Sequence, residues 1–292
     1  MENSTNNKQV SIIIPAYNEE AGILNSLQEL LAIMSATDFA YEIIVVNDGS
    51  QDKTGEIVKG FGQVKLINQD KNYGYGASLK VGIDQAKYDV IAITDADGTY
   101  PIKRLPELIS SMADYDMVVG ARIGGQVNIP WSRRLPKLVL NKYANYLVRF
   151  DIPDLNSGLR VFRKDVYKKF RNLLPSGFSF TSTITLALLS NNYRVKYIPI
   201  DYYKREGKSK IKPIRDTINF FKLVSKLTLY FDPLRIFIPI TFFLLLVALI
   251  FYLNDYFFNM SISGKTALAF FLAMQFGLIG ILADIIIHQR DV

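Results

Sequence analysis

The sequence contains no cysteine and only one histidine, His288, in 292 residues. Without cysteine, the protein can form neither a disulfide framework nor a thiolate metal site, and it has no cysteine nucleophile. A single histidine excludes a metal site built from several histidines and disfavours a Ser-His-Asp triad. Thiol chemistry and histidine-rich metal binding are therefore excluded.

Two common nucleotide-binding motifs are also absent. No G-x-x-x-x-G-K-[ST] sequence occurs, which disfavours an ordinary P-loop NTPase. The stretch NYGYG at 72–76 supplies only G-x-G, and because the next glycine is Gly82 it fails the dinucleotide pattern G-x-G-x-x-G. We expect this stretch to form a tight turn into a helix N-terminus.

Basic and apolar residues are abundant, and they are unevenly distributed. The net charge of +7 suggests an anionic partner, such as a nucleic acid, a nucleotide or an anionic membrane face. Hydrophobic residues make up 49% of the chain, and the excess lies after Asp232. The polar start MENSTNNKQ is not followed by a long apolar run, so we expect no signal peptide and a cytoplasmic N-terminal part.

Apolar runs and helical patterns alternate in the first part of the chain. This alternation predicts a doubly wound α/β domain with a mostly parallel sheet, in which ligands bind beyond the carboxyl ends of the strands. Each run is followed by a polar or glycine-rich cluster, which predicts one site at one edge of the sheet. The predicted strands are 10–14, 41–47, 64–68, 89–94 and 116–121, and the predicted helices are 20–34, 75–87 and 102–112, the last with Pro106 inside it.

The last part of the sequence predicts a membrane hairpin. Segments 234–253 and 266–289 are apolar and long enough to span a bilayer, which takes about 20 residues. Many lysines and arginines precede the first span, whereas the connecting loop has only Lys265, so we expect both ends of the hairpin and the N-terminal domain in the cytoplasm. Asp284 is expected at the membrane interface, and a role in a polar path is the alternative.

Two basic amphipathic segments, 132–150 and 214–231, precede the spans. We expect them to lie on the membrane surface, and ordinary surface helices packed on the domain are the alternative. The predicted organisation is a domain over 1–212, an amphipathic juxtamembrane helix over 213–231 and a transmembrane hairpin over 232–292.

The stretch DVIAITDADGTYP at 89–101 places two carboxylates at the end of a hydrophobic strand. Asp95 and Asp97 are one residue apart and repel each other unless a positive group lies beside them. A hard divalent cation, Mg²⁺ or Mn²⁺, suits such oxygen ligands and leaves positions for substrate phosphates. A capped turn, in which each aspartate accepts backbone N–H groups, is the alternative interpretation.

Polar residues after the first two predicted strands suit a nucleotide. PAYNEE at 15–20 places Tyr17 and Glu19 where an aromatic face and an acceptor would meet a nucleobase. NDGSQD at 47–52 places Asp48 where it can accept from a base or a ribose. Ordinary turn chemistry explains the same Asn, Asp and Gly residues.

Seven motifs, in order over about residues 9–230, make the chain resemble family 2 glycosyltransferases of the GT-A fold. The resemblance is closer to the branch of dolichol-phosphate mannose synthases and bacterial polyprenyl-phosphate glucosyltransferases. It implies an α/β GT-A nucleotide-sugar-binding domain with a mostly parallel sheet, amphipathic interface helices and a C-terminal two-helix transmembrane hairpin. The motifs are IIIPAYNEE, IIVVNDGSQDKT, NYGYGASLKVGID, DADGTYP, VVGARIGG, DLNSGLRVFRKDV and YKREGKSKI.

The resemblance also implies roles for individual positions. Asp95 and Asp97 would bind the metal against the donor diphosphate, and Thr99 stands where the family often has Gln, so a third metal ligand is not identified. Arg122 and Arg133 would hold the acceptor phosphate. The remaining implied positions are Ser157 and Arg160 in the floor between donor and acceptor, and Pro15, Tyr17, Glu19, Asp48, Ala96, Arg205, Ser209 and Lys210 in the nucleotide-sugar site. For the lysine run around Lys210, binding to anionic lipid headgroups is the alternative.

The implied activity is the inverting transfer of one hexose from a nucleotide-diphosphate sugar to a polyprenyl phosphate at the cytoplasmic membrane face, with Mg²⁺ or Mn²⁺ as cofactor. The leaving nucleotide builds negative charge that a metal and a Lys/Arg clamp stabilise. The acceptor phosphate, with a second pKa of about 6, is already an oxyanion at neutral pH, so no strong general base is required. UDP-glucose or a similar sugar, or GDP-mannose, would be the donor.

Other functions are weighed against this one. An inactive glycosyltransferase-like membrane scaffold and a glycosyltransferase with another lipid or glycan acceptor are the alternatives. A processive polysaccharide synthase is disfavoured because the only tryptophan, Trp131, is not part of a Q-x-x-R-W motif. The predicted spans argue against a nucleic-acid-binding protein, and a homo-oligomer is compatible with the sequence.

Overall fold

The computed structural model describes residues 9–124, 142, 145–146, 150–177, 179–203, 213–259 and 261–289. The chain divides into two compact units, Met1–Phe220 and Phe221–Val292, and each is described by itself.

A seven-stranded sheet lies at the centre of the first unit. Its strands are Gln9–Ala16 (β1), Ala40–Asn47 (β2), Val64–Asn68 (β3), Val90–Ile93 (β4), Met117–Ala121 (β5), Arg160–Arg163 (β6) and Val195–Pro199 (β7). Their order is β3-β2-β1-β4-β6-β5-β7. β1 to β4 pair in parallel, as do β5 and β7, whereas β6 is antiparallel to both β4 and β5. The predicted mostly parallel sheet is confirmed.

The central strands are buried on both faces, which explains their unbroken apolar sequence. Ile12, Ile13 and Ile14 of β1 are at most 1% exposed. A strand covered on both faces does not alternate between apolar and polar residues, and its β-branched side chains favour the extended backbone. The five strands predicted from such runs are all present.

The first helix packs into the core of this unit through one apolar face. In the first helix, Ile23, Leu27, Leu30 and Met34 are fully buried at a spacing of three and four residues, which places them on the same face. Each buried side chain of this size contributes about 1.5–3 kcal/mol. The helices are Ile23–Ser35 (α1), Thr54–Lys59 (α2), Tyr75–Asp84 (α3), Leu105–Ser110 (α4), Lys164–Phe170 (α5), Phe180–Ser190 (α6) and Pro213–Phe231 (α7), the last with residues in both units.

The helix predicted over 102–112 is divided in the structure. A 3₁₀ turn, Ile102–Arg104, precedes α4, and a second one, Ser111–Ala113, follows it. Pro106 lies in the first turn of α4. A proline is tolerated there because the first N–H groups of a helix have no partner within the helix.

The second unit contains the helices Leu234–Asn254 (α8) and Gly264–His288 (α9), joined through a π-helical turn, Asp255–Asn259. Two stretches, Leu234–Phe258 and Gly264–Ile287, have mean hydropathies of 2.8 and 2.2 and are long and apolar enough to cross a membrane. Asp255 is 1% exposed and accepts hydrogen bonds from Ser263 N at 2.7 Å and Thr266 Oγ1 at 2.6 Å. This carboxylate therefore ties the turn to the start of α9.

Candidate active site

The carboxyl ends of β1, β2 and β4 open into one cavity of about 190 Å³. The sequence places polar residues immediately after these strands, and the parallel pairing brings them to the same edge. Tyr75 and Ser78 of α3 also line the cavity, although the sequence did not identify them. The cavity is lined by every predicted nucleotide-sugar residue that the structure describes: Pro15, Tyr17, Glu19, Asp48, Asp95, Ala96 and Asp97.

Asp97 lies in a tight turn that follows β4. Its Oδ1 accepts hydrogen bonds from Thr99 N at 3.1 Å and Thr99 Oγ1 at 2.6 Å, and Gly98 has the left-handed φ of 68° that the turn requires. Thr99 is fully buried, so its hydroxyl orients Asp97. The capped turn weighed as an alternative is thus present at Oδ1.

Asp95 is held from two directions. The hydroxyl of Tyr75 donates to Asp95 Oδ1 at 3.0 Å. Gly158 lies against the same carboxylate, because a Cβ on Gly158 would be 2.9 Å from Oδ2. The N–H of Gly158 in turn donates to the hydroxyl of Tyr100 at 2.6 Å. The position of Asp95 is therefore fixed by residues from α3 and from the loop before β6.

The turn between these aspartates is fastened to α1. Ser26 Oγ donates to the backbone oxygen of Ala96 at 3.1 Å. Gly22 approaches the same oxygen so closely that a Cβ would be 2.9 Å away. The backbone N–H of Glu19 donates to Thr54 Oγ1 at 2.9 Å, which holds the loop after β1 against α2. The loops around the cavity are thus packed on helices.

Asp48 organises the loop that follows β3. It is 3% exposed, and it accepts from Gln69 Nε2 at 2.9 Å, Tyr73 N at 2.8 Å and Gly74 N at 2.9 Å. Gly74 has a φ of 103°, which favours glycine, and directly precedes α3. Asp48 lines the cavity, but it is also a structural partner of the glycine-rich turn, and its contact with a base or ribose stays a prediction.

Arg122, predicted to hold an acceptor phosphate, is paired with a buried carboxylate. Its Nε lies 2.7 Å from Asp154 Oδ2 and its Nη2 lies 2.9 Å from Asp154 Oδ1, while its guanidinium stacks on the Tyr202 ring at 5.1 Å. The side chain of Asp154 is fully buried, and that of Arg122 is 17% exposed. Burial alone would lower the pKa of Arg122, but Tyr100 and Asp154 raise it well above its ordinary value.

Ser157 and Arg160, predicted in the floor of the site, are both fully buried. Ser157 Oγ donates to Gly120 O at 2.5 Å. Arg160 Nη1 donates to Thr181 O at 2.8 Å and Thr185 Oγ1 at 2.9 Å, so the side chain ties β6 to α6. Burial lowers the pKa of Arg160. Neither side chain lines the cavity, and a direct catalytic role stays a prediction.

The described residues offer hard oxygen ligands to a divalent cation. Across the described ranges, no group of three or more His, Cys, Asp or Glu side chains could hold a metal ion. Asp95 and Asp97 supply two carboxylates, which fits Mg²⁺ or Mn²⁺ because these ions take their remaining ligands from substrate phosphates and water. The other predicted site residues, Arg133, Arg205, Ser209 and Lys210, lie outside the described residues.

Comparison with protein families identifies the class of the protein. Residues 11–171 match the model of glycosyl transferase family 2, and residues 232–288 match the GtrB C-terminal hairpin. Because the first match covers more than half of the 292 residues, the chain belongs to glycosyl transferase family 2. The predicted family and the predicted enzyme class, a glycosyltransferase, are confirmed.

Two curated relatives are proteins of Haloferax volcanii. The chain is 30% identical over 216 residues to the low-salt glycan biosynthesis hexosyltransferase Agl6, which covers 71% of this chain and 51% of that relative. It is 29% identical over 222 residues to a dolichyl-phosphate hexose transferase, which covers 75% of this chain and 94% of that relative. The chain therefore spans about half the length of the first relative and nearly all of the second.

A solved structure shares the fold. Glucosyl-3-phosphoglycerate synthase from Mycobacterium tuberculosis, in complex with Mn²⁺, UDP-glucose and phosphoglyceric acid, matches with a TM-score of 0.60 and 16% identity over 76% of this chain and 80% of that one. At this identity the likeness shows the fold alone, which is the predicted GT-A-like α/β fold.

Proposed function

We propose that the protein transfers a single hexose from a nucleotide-diphosphate sugar to a polyprenyl phosphate at the cytoplasmic face of a membrane. The observation that carries the proposal is the grouping of Asp95 and Asp97 with Tyr17, Glu19 and Asp48 around one cavity, in a chain that also contains an apolar hairpin. The dolichyl-phosphate hexose transferase among the relatives supports a lipid phosphate as the acceptor.

The donor site is proposed around the two aspartates. Asp95 and Asp97 would hold Mg²⁺ or Mn²⁺, which would offset the negative charge that develops on the leaving diphosphate. Arg205, Ser209 and Lys210 are proposed to close over that diphosphate. The complex of the structural neighbour with Mn²⁺ and UDP-glucose supports a divalent cation and favours a UDP-sugar as the first donor to test.

The acceptor phosphate is proposed to bind near Arg122 and Arg133. Asp154 uses two donors of the Arg122 guanidinium, which carries five, so the bidentate pair orients the side chain without using its full capacity. A cation here would reduce the repulsion between the acceptor phosphate and the donor diphosphate. In-line attack by the acceptor oxygen would invert the anomeric carbon.

The proposed orientation rests on the distribution of positive charge. The connection between α8 and α9, together with the first turn of α9, carries only one lysine or arginine, Lys265, whereas cytoplasmic loops carry an excess of both. We therefore propose that the N-terminal unit lies on the cytoplasmic side. The lysines and arginines just before the first span or at its start are Lys204, Arg205, Lys208, Lys210, Lys212, Arg215, Lys222, Lys226 and Arg235.

A transfer assay tests the proposal. The purified protein, in detergent with Mn²⁺ or Mg²⁺ and a short polyprenyl phosphate, is offered radiolabelled UDP-glucose, UDP-N-acetylglucosamine and GDP-mannose in separate reactions. We expect one donor to give a labelled lipid that mild acid hydrolyses to a free hexose. Absence of labelled lipid with every donor, while a positive-control synthase works under the same conditions, would favour an inactive scaffold or another acceptor.

A further inference from the structure

Tyr75 contacts the proposed metal site without being one of its ligands. It is the first residue of α3, and its hydroxyl donates to Asp95 Oδ1 at 3.0 Å. Its backbone is held on both sides, since Gly74 N donates to Asp48 at 2.9 Å and Ala77 N donates to Ser176 O at 3.0 Å. The hydroxyl is therefore presented from a fixed element.

The chemistry of this contact suits the orientation of a metal-binding carboxylate. A tyrosine phenol, with an ordinary pKa of about 10, is protonated at neutral pH, so the hydroxyl can donate to Asp95. A lysine or arginine at this position would orient Asp95 equally well, but it would offset the charge that attracts a cation. A neutral donor fixes the carboxylate and leaves its charge in place.

The backbone of Gly158 packs against the same carboxylate. Gly158 lies so close that a Cβ would be 2.9 Å from Oδ2 and 3.0 Å from Oδ1. The Tyr75 hydroxyl and the Gly158 backbone therefore both lie against the carboxylate. Loss of the hydroxyl would remove the hydrogen bond and leave the packing of Gly158 in place.

We propose that Tyr75 is a positioning residue for the divalent cation, acting through its hydrogen bond to Asp95. The inference rests on the proposed function, because it requires that Asp95 binds a metal. Hydrogen-bond partners of metal ligands typically contribute tenfold or more to metal affinity.

Tyr75→Phe tests this inference because it removes only the hydroxyl. Tyr167→Phe is a control for the loss of a tyrosine–aspartate hydrogen bond, since the Tyr167 hydroxyl donates to Asp84 Oδ1 at the same 3.0 Å, in a pair whose residues do not line the cavity. Mn²⁺ binding to the full-length protein is measured by electron paramagnetic resonance with saturating UDP. We expect Tyr75→Phe to weaken Mn²⁺ binding about tenfold and Tyr167→Phe to leave it unchanged.

Two further measurements separate a positioning role from other roles. The Mn²⁺ concentration for half-maximal transfer should rise in Tyr75→Phe, with kcat at saturating Mn²⁺ nearly unchanged. UDP binding in EDTA should equal that of the wild type, and a loss there would instead make Tyr75 a nucleotide contact and overturn the inference. Equal Mn²⁺ affinity in Tyr75→Phe and the wild type would also overturn it. If the wild type itself binds no Mn²⁺ with UDP or GDP, the metal assignment of the proposed function fails and the inference fails with it.

Discussion

Arg122 and Asp154 form a bidentate ion pair with two short hydrogen bonds, at 2.7 Å from Nε to Oδ2 and 2.9 Å from Nη2 to Oδ1. Asp154 also accepts the backbone N–H of Arg122 at 3.0 Å. One buried carboxylate thus fixes both the side chain and the main chain of Arg122, directly after β5. The residue proposed to meet the acceptor is therefore oriented by its own neighbour in the protein.

This pair predicts a large cost for removing the buried partner. In Asp154→Ala the three Arg122 bonds are lost and a partly buried guanidinium remains without its carboxylate, which should destabilise the protein by about 3 kcal/mol. Asp165→Ala is the control, because its pair with Arg163 is more than half exposed on both sides and should contribute at most about 1 kcal/mol. Thermal unfolding in detergent measures both, and a similar small loss in the two variants would contradict the account.

A second prediction concerns the space beside Asp95. In Gly158→Ala, the new Cβ would meet the Asp95 carboxylate at 2.9 Å, so the carboxylate must move. We expect transfer activity to fall at least tenfold, with a higher requirement for Mn²⁺. Gly62→Ala is the control, since a Cβ there meets nothing within 4 Å. Unchanged Mn²⁺ dependence in Gly158→Ala would show that the position of Asp95 does not govern the metal site.

A third prediction concerns the hydroxyl of Thr99. Thr99→Val keeps the branched shape but removes the 2.6 Å bond to Asp97 Oδ1, while the backbone bond at 3.1 Å can remain. We expect weaker Mn²⁺ binding and a loss of stability of about 1 kcal/mol. Thr99→Ser retains the donor and should restore Mn²⁺ affinity. If serine and valine behave alike, the hydroxyl does not orient Asp97.

A fourth prediction concerns orientation in the membrane, and the absence of cysteine makes the test simple. Ser261 is exposed in the connection between α8 and α9, and Ser35 is exposed at the end of α1. A membrane-impermeant maleimide should label Ser261→Cys in intact cells and Ser35→Cys only after permeabilisation. The reverse pattern would overturn the proposed cytoplasmic placement of the first unit.

The elements that the sequence predicted are those whose signal is local. β1 to β5 are apolar runs followed by polar or glycine-rich residues. The hairpin is predicted from two long apolar segments. β6 was missed because its sequence RVFR begins and ends with a charged residue, one of which, Arg160, is buried through hydrogen bonds to α6. β7, VKYIP, has an exposed proline at its end and mostly half-buried residues, so its signal is also weak.

The residues lining the cavity were predicted because strand ends converge at one edge of a parallel sheet. The contacts that orient them could not be predicted, because they join residues distant in sequence. Tyr75 and Asp95 are 20 positions apart, and Arg122 and Asp154 are 32 apart. Gly158 has no sequence signal for its approach to Asp95, since only the packing of the loop before β6 creates it.

The most direct test of the account is the effect of Asp97→Asn on Mn²⁺ binding and on sugar transfer. Asparagine keeps the shape of the side chain and an oxygen that can accept from Thr99, so the thermal unfolding temperature should stay close to that of the wild type. We predict that Mn²⁺ binding in the presence of UDP is lost and that transfer falls by at least about a hundredfold. Transfer at the wild-type rate in this variant, with Mn²⁺ still bound, would contradict the claim that the two aspartates after β4 form the metal-dependent donor site.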